Sequence, residues 1–268
     1  MKLLIIGLDG LDLNLMSRWK VNWFMQKYWG KHYIGFLREP YTPIVWGCFL
    51  TGVNVEKYGY TIQIIQNMRD TMKFRSKILY NLYQLRKRLI PVRNLGVRRI
   101  LVKLKLANTC PPAIMPKWLI KLTFIEKLKA EGYRIVAIEV PGYNEYSNEY
   151  YRSMCGNLIS KPFSIRRKFI ELALKDTEER IRRSIKFVED EYDLVFTYSP
   201  LPDLAFHIVG LNPPIHARVW LRILHYRLYR VVKELIDLAK ERNYITLIVS
   251  DHGFDIEQHY HSEYGFGV

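Results

Sequence analysis

The sequence predicts an α/β protein with a largely parallel central sheet and helices on both faces. Three observations carry this. Residues 3–7, 134–140, 194–198 and 245–250 are short apolar runs, rich in Ile, Val and Leu, that read as buried strands. Helical periodicity precedes three of them, and alternation of strands with long helices favours parallel pairing. Carboxylates and histidines follow the strand ends, where ligands gather in sheets of this kind.

The first run, IIG, needs no helix before it. Before the second, residues 122–131 form a helical stretch closed by Gly132, a common helix stop. Before the third, residues 162–190 place Phe169, Leu172, Leu174, Ile181, Ile185 and Val188 at roughly helical spacing. Before the fourth, residues 217–242 do the same with Leu221, Leu224, Leu228, Val232, Leu235 and Leu238. Residues 69–121 interrupt this alternation with RKRLIPVRNLGVRRILVKLKL and the turn CPPAIMP. They read as a basic cap or surface subdomain inserted into one catalytic domain spanning 1–268.

Composition sets the bounds. The chain has 268 residues, 49% of them apolar and 25% charged, an ordinary balance for a globular protein rather than a disordered one. No window of about 18 uninterrupted apolar residues suggests a transmembrane helix. The N-terminal run MKLLIIG reaches Asp9 too soon for a secretory leader. Three cysteines (Cys48, Cys110 and Cys155) make no disulfide framework and fit a reducing, cytoplasmic interior. With no CxxC among them, a cysteine-based zinc site is excluded. The net charge is +15, and residues 69–121 hold fourteen Lys or Arg against one acid, Asp70. That local surplus of +13 leaves the remaining chain nearly neutral, so the basicity belongs to one segment.

The residues with chemical potential sit at strand ends. Asp9 follows the first strand in IIGLDG; the plain alternative is a turn or helix cap. Asp251-His252 follows ITLIVS in the same way, and Gly253 suits a tight bend after the pair. Two groups so hard to bury make sense together if a cation holds them. Asp203 and His207 are spaced D-x-x-x-H after Pro200 and Pro202, which mark a turn and a helix start. On a helix, i and i+4 share a face, so both could reach one ion, although a solvent-facing pair has the same spacing. His259 and His261 follow in QHYHSEYGF. On an extended chain both would face one side, so spacing alone leaves either as a ligand. Thr42, in YTPIVWGCFLTG, starts a helix-compatible stretch. A threonine there is often only a cap, but helix N-termini also favour phosphate, and its hydroxyl could act as a nucleophile. Trp46 reads as core packing, and residues 143–151 as a Tyr-rich loop near the site.

In order along the chain, IIGLDG, YTPIVWGCFLTGVNVEKYGY, EGYRIVAIEVPGY, YSPLPDLAFH, SDHGF and HSEYGF resemble the alkaline phosphatase superfamily. The closest branch is the type I phosphodiesterase/nucleotide pyrophosphatase family, in its compact archaeal-type form. The resemblance implies an alkaline-phosphatase-like fold and a site for two divalent metal ions. Asp9, Thr42, Asp251 and His252 would hold one; Asp203, His207 and His261 would hold the other. Thr42 would be the nucleophile, forming a phosphothreonine that water hydrolyses. It also selects His261 over His259, since His, a small residue and an aromatic-Gly pair follow the family pattern. The Asp/His donor mixture suits Zn2+ best, with Mn2+ second. Two positions depart from the pattern: Val45 stands where many relatives carry a phosphate-holding Asn, and Tyr58 replaces a His.

The resulting expectation is a metal-dependent phosphodiesterase or nucleotide pyrophosphatase acting on a small phosphate ester or nucleotide. A phosphomonoesterase or phosphoglycerate-mutase-like enzyme is the near alternative. A sulfatase is disfavoured because no C-x-P-x-R motif occurs. From a different class, a non-catalytic protein could use this scaffold to dock on anionic lipid or RNA. The basic segment is either a solvated helical face, an anionic-substrate cap or an amphipathic contact with a membrane surface. Its few aromatics (Phe74, Tyr80, Tyr83 and Trp118) make a poor base-stacking platform, and no specific nucleic-acid motif is present.

Overall fold

The computed structural model describes residues 1–74, 76–89, 100–101, 103–107 and 113–268. Its central sheet has six strands: β1 (Lys2–Leu8), β2 (Gly30–Tyr33), β3 (Ile135–Ile138), β4 (Leu194–Ser199), β5 (Tyr244–Ser250) and β8 (Tyr264–Gly267). A separate two-stranded ribbon joins β6 (Phe254–Asp255) to β7 (Tyr260–His261). The sheet order is β2-β8-β5-β1-β4-β3. β3, β4, β1 and β5 run parallel, with Ile5 opposite Phe196 on one side and Leu247 on the other. β8 and β2 add antiparallel strands at the β5 edge. Together with the helices this makes an α/β fold consistent with an alkaline-phosphatase-like architecture.

Side chains along β1 alternate between two cores, as strand geometry requires. Leu4, Ile6 and Leu8 enter one; Ile5 enters the other. Two long helices, α8 (Phe163–Glu189) and α10 (Ile215–Glu241), cover the first face. Their buried stripes, Ile170–Leu174–Thr177–Ile181–Ser184–Val188 and Leu221–Leu224–Leu228–Val232–Leu235, keep the 3–4 residue spacing of a core-facing helix stripe. α2 (Thr42–Thr51) and α6 (Phe124–Ala130) cover the second face. Trp46 is fully buried there, packed edge-on against Tyr198 at 5.5 Å. α1 (Leu13–Arg18) and α9 (Asp203–Val209) follow the carboxyl ends of β1 and β4. No helix among the described residues is long and apolar enough to cross a membrane.

Residue 69, the expected start of the basic insertion, falls inside α3 (Ile62–Met72). α4 (Lys77–Leu89) follows, and α5 (Lys117–Ile120) closes the segment. Residues 90–99 and 108–112, the centre of that expected cap, lie outside the described residues. The Tyr-rich stretch 143–151 is only partly a loop, because α7 (Asn148–Leu158) begins within it. Glu139 organises that helix start by accepting from the backbone N–H groups of Tyr146 and Ser147 at 2.9 and 2.8 Å.

His225 on α10 is fully buried, its Nδ1–H donating to the Leu221 carbonyl at 2.8 Å. Trp19 packs edge-on to its ring at 4.7 Å, and Phe206 lies at 5.4 Å. Burial pushes this histidine down from the usual 6.5 to about 4. As pH falls through that window the unfolded chain takes up the proton first, so the folded state loses stability. Relative to a His225→Leu variant, the native chain should lose about 3 kcal/mol between those limits. Denaturant melts at each pH check this; parallel curves for the two proteins would refute it.

Candidate metal centre

The site is built on the carboxyl ends of β1, β4 and β5. Asp9 follows β1 and is buried, but it caps no helix. The cap of α1 is Asp12, whose Oδ1 accepts from Leu15 N–H at 2.7 Å. Gly10 then turns the chain with φ 69°, a left-handed value a side chain resists. A Cβ on Gly10 would also stand 2.7 Å from that of Asp203. The glycine thus lets two chain segments meet, and Asp203 N–H donates to the Asp9 carbonyl at 2.8 Å.

Two clusters of ligand-type groups result, each with its atoms within 4.8 Å of one another. Asp9, Asp251 and His252 form the first, all buried; Asp203, His207 and His261 form the second. In the first, His252 Nε2 lies 3.3 Å from Asp9 Oδ1 and 3.6 Å from Asp251 Oδ2. In the second, Asp203 opens α9 and His207 sits one turn on, with Nε2 3.3 Å from Asp203 Oδ2. His261 Nε2 reaches Asp203 Oδ1 at 3.4 Å and His207 Nε2 at 2.8 Å. The clusters adjoin: the His252 and His261 rings stack with centroids 3.9 Å apart.

His261, not His259, is in the second cluster. The two histidines do not share one side of an extended strand, because His259 has φ 53° and sits outside β7. Its ring meets the His207 ring edge-on at 5.6 Å instead. Gly253 also makes room for a side chain: Asp12 Oδ2 occupies the space a Cβ would need, and that oxygen accepts from Phe254 N–H at 3.2 Å. Asp12 therefore pins the segment carrying Asp251 and His252 to the loop after β1.

Thr42 is the first residue of α2, and the cap position belongs to Tyr41. The hydroxyl is thus not the helix N-cap. Thr42 shares a helix face with Trp46, four residues on. Trp46 packs against Tyr198, whose hydroxyl donates to Asp9 Oδ2. Tyr198 was not singled out in the sequence; its place at the end of DLVFTYS is the signal that could have found it. Beyond Tyr41 lies an ion network that sequence spacing also concealed. Arg69 donates to the Tyr41 hydroxyl at 3.1 Å and pairs with Glu149, while Arg152 grips buried Glu145 through two nitrogens at 3.1 and 2.6 Å.

The electrostatics match confined anionic charge. Burial, then the Asp251 and Asp203 carboxylates, hold Asp9 well above the ordinary carboxylate range. Burial, with Asp203 adding to it, pushes Asp251 up to about 7. Burial would raise Asp203 too, but the His207 and His261 rings outweigh it and hold that carboxyl well below its usual value. Asp9 Oδ1, Asp203 Oδ1, both Asp251 oxygens and His252 Nε2 are buried without a well-formed hydrogen bond among the described residues. Buried polar atoms in that condition are costly, and a shared cation relieves the cost. A cavity of about 500 Å³ opens on His207 and His261, lined also by Arg38, His259, Tyr260 and Ser262.

The mostly parallel six-stranded sheet with its flanking helices is consistent with the alkaline phosphatase superfamily. The chain belongs to its type I phosphodiesterase/nucleotide pyrophosphatase family, whose profile matches residues 3–264. Among curated proteins, no relative matches it. The family indicates phosphodiesterase or nucleotide pyrophosphatase activity on small phosphate esters or nucleotides, and is generally metal-dependent. The two clusters supply groups that could hold metal.

Proposed function

We propose that this chain is a two-metal phosphodiesterase of the nucleotide pyrophosphatase type with Thr42 as nucleophile. The observation that carries the reading is the pair of adjoining clusters with buried, unsatisfied ligand atoms. Asp9, Asp251, His252 and Thr42 would hold one ion; Asp203, His207 and His261 would hold the other. Three carboxylates and three imidazoles favour Zn2+, with Mn2+ second. When bound, the ions supply charge for the attacking, leaving and equatorial oxygens of a phosphoryl transfer.

The chain's own residues do the rest. Thr42 Oγ1 forms a bond to phosphorus as one ester P–O bond breaks and the hydroxyl proton ends on the departing oxygen, leaving a phosphothreonine at the start of α2 that still carries the substrate's second ester group. Water then attacks that phosphorus and restores the Thr42 hydroxyl. Tyr198 fixes the Asp9 carboxylate through its hydrogen bond. Val45 brings no side-chain amide to the phosphate, Pro43 has no N–H, and the Ile44 and Val45 N–H groups already donate to the Tyr41 carbonyl at 2.7 and 3.1 Å, so the two clusters would orient it. The basic segment would favour anionic substrates near the site, because Arg69 is tied to Tyr41, the neighbour of Thr42.

A hydrolysis screen with bis-aryl phosphate, aryl phosphate and a dinucleoside pyrophosphate, with Zn2+ or Mn2+ added, tests the reading. Faster diester or pyrophosphate cleavage supports it. Monoester preference would shift it to the phosphomonoesterase branch, and metal binding without turnover would favour a docking protein. Removing the Tyr198 hydroxyl gives a finer check. Tyr198→Phe should weaken metal affinity roughly 10- to 100-fold while kcat recovers at saturating metal, as for groups that orient a ligand. Metal titration by calorimetry reads this directly; unchanged affinity would remove Tyr198 from the role.

A further inference from the structure

The basic insertion contains one helix whose outer face has no partner among the described residues. In α4, Ile78, Leu82, Leu85 and Leu89 recur at 4, 3 and 4 residues. They fall within about 60° on a helix of 100° per residue. All four are exposed, at 72, 56, 52 and 70%. A row of large aliphatic side chains facing water marks an interaction surface. The opposite face is already occupied: Tyr80 and Tyr83 turn inward onto buried Phe74, at 6.4 and 4.9 Å. Lys77 and Arg88 flank the stripe on one side, while Arg86, on the other, lies over the Tyr83 ring at 6.0 Å. The return segment repeats the pattern, with Ile100 and Leu104 exposed beside Lys103 and Lys105. A bridge between Phe74 and Ala107 holds the two stretches together at their base.

We propose that the outer face of α4 docks this protein on an anionic lipid bilayer. An aliphatic stripe bordered by cations is what such a surface takes: leucines enter the acyl boundary while Lys and Arg meet anionic headgroups. The charge of the whole segment is complementary, fourteen cations to one acid. RNA fits less well, because the helix aromatics are turned inward and four leucine-type side chains would remain in water. Self-association fits less well too, since it would set like charges against each other. The docking stands apart from the hydrolase reading and does not depend on it.

Flotation of the full chain with vesicles of phosphatidylcholine alone, or mixed with phosphatidylglycerol, tests this. Binding should be at least about tenfold tighter to the anionic vesicles. Leu82→Glu/Leu85→Glu should lose at least about tenfold in vesicle affinity. Its circular dichroism and its hydrolysis of a soluble ester should stay unchanged, and Leu82→Ile/Leu85→Ile should bind normally. Lys77→Gln and Arg88→Gln should each cost about fivefold, with loss of binding in high salt. Equal binding to neutral vesicles, or full binding by the Glu variant, would overturn the proposal. So would a wild-type dimer that the Glu variant dissolves, or RNA affinity exceeding vesicle affinity and insensitive to the leucine changes.

Discussion

Thr42→Ala should lower diester turnover by roughly 10³-fold or more, the scale set by loss of a covalent nucleophile. The folded structure should survive. Thr42 is the first helical residue rather than the cap, so no capping bond is lost with its hydroxyl. Metal binding should weaken without disappearing, because Asp9, Asp251 and His252 remain together. Thr42→Ser should keep measurable turnover, since it retains a hydroxyl at the same place. Acid-quenched enzyme should carry phosphate on the peptide containing residue 42 in the wild type and not in Thr42→Ala. A Thr42→Ala enzyme with near-normal kcat would assign the attack to water and remove the covalent step.

The second large effect concerns stability. Chelating the metal should lower Tm by about 10 °C. A ligand at 1,000 times its Kd stabilises the fold by about 4 kcal/mol, and each kcal/mol moves Tm about 2–4 °C in a chain of this size. The metal-free protein should also respond to pH in a particular direction. Burial pushes Asp251 up to about 7 from the ordinary 3.8. Between those values the folded state holds a proton that the unfolded chain has released, so stability falls as pH rises. Asp251→Asn removes that charge. Its metal-free form should melt above the metal-free wild type at neutral pH and should gain less from added Zn2+. Differential scanning calorimetry with and without chelator measures all of this. Identical melting of the two metal-free proteins would mean that Asp251 carries no buried charge.

Much of this was legible in the sequence because strand ends leave a local trace. Apolar runs closed abruptly by Asp9, by Asp251-His252, or by a proline turn before Asp203 mark a carboxyl edge without any tertiary information. β2 and β8 leave no such trace. GKHY has no alternation of apolar and polar residues, and YGFG is short and glycine-rich; β8 becomes a strand because β5 offers it an edge, and β2 because β8 then offers the next one. Spacing could not choose between His259 and His261, because the difference depends on one left-handed residue, whereas the HSEYGF resemblance selected His261. Tyr198 was invisible for another reason. A tyrosine in a buried strand looks like packing until a carboxylate nearly 190 residues earlier is found against its hydroxyl.

The excursion from Asp251 to Glu263 carries three of the six clustered carboxylate and imidazole groups, Asp251, His252 and His261. Both of its ends are stitched to the same sheet, Ser250 opposite Phe266 and Val249 opposite Gly267. Asp12 holds its middle through Phe254. Such a closed excursion behaves as a cassette. Its interior can be exchanged for that of a relative, or redesigned for another donor set, without breaking a strand of the scaffold. On the proposed two-metal reading, a new metal preference would need only this one peptide rewritten, with Asp9, Asp203 and His207 kept as the fixed half of the socket.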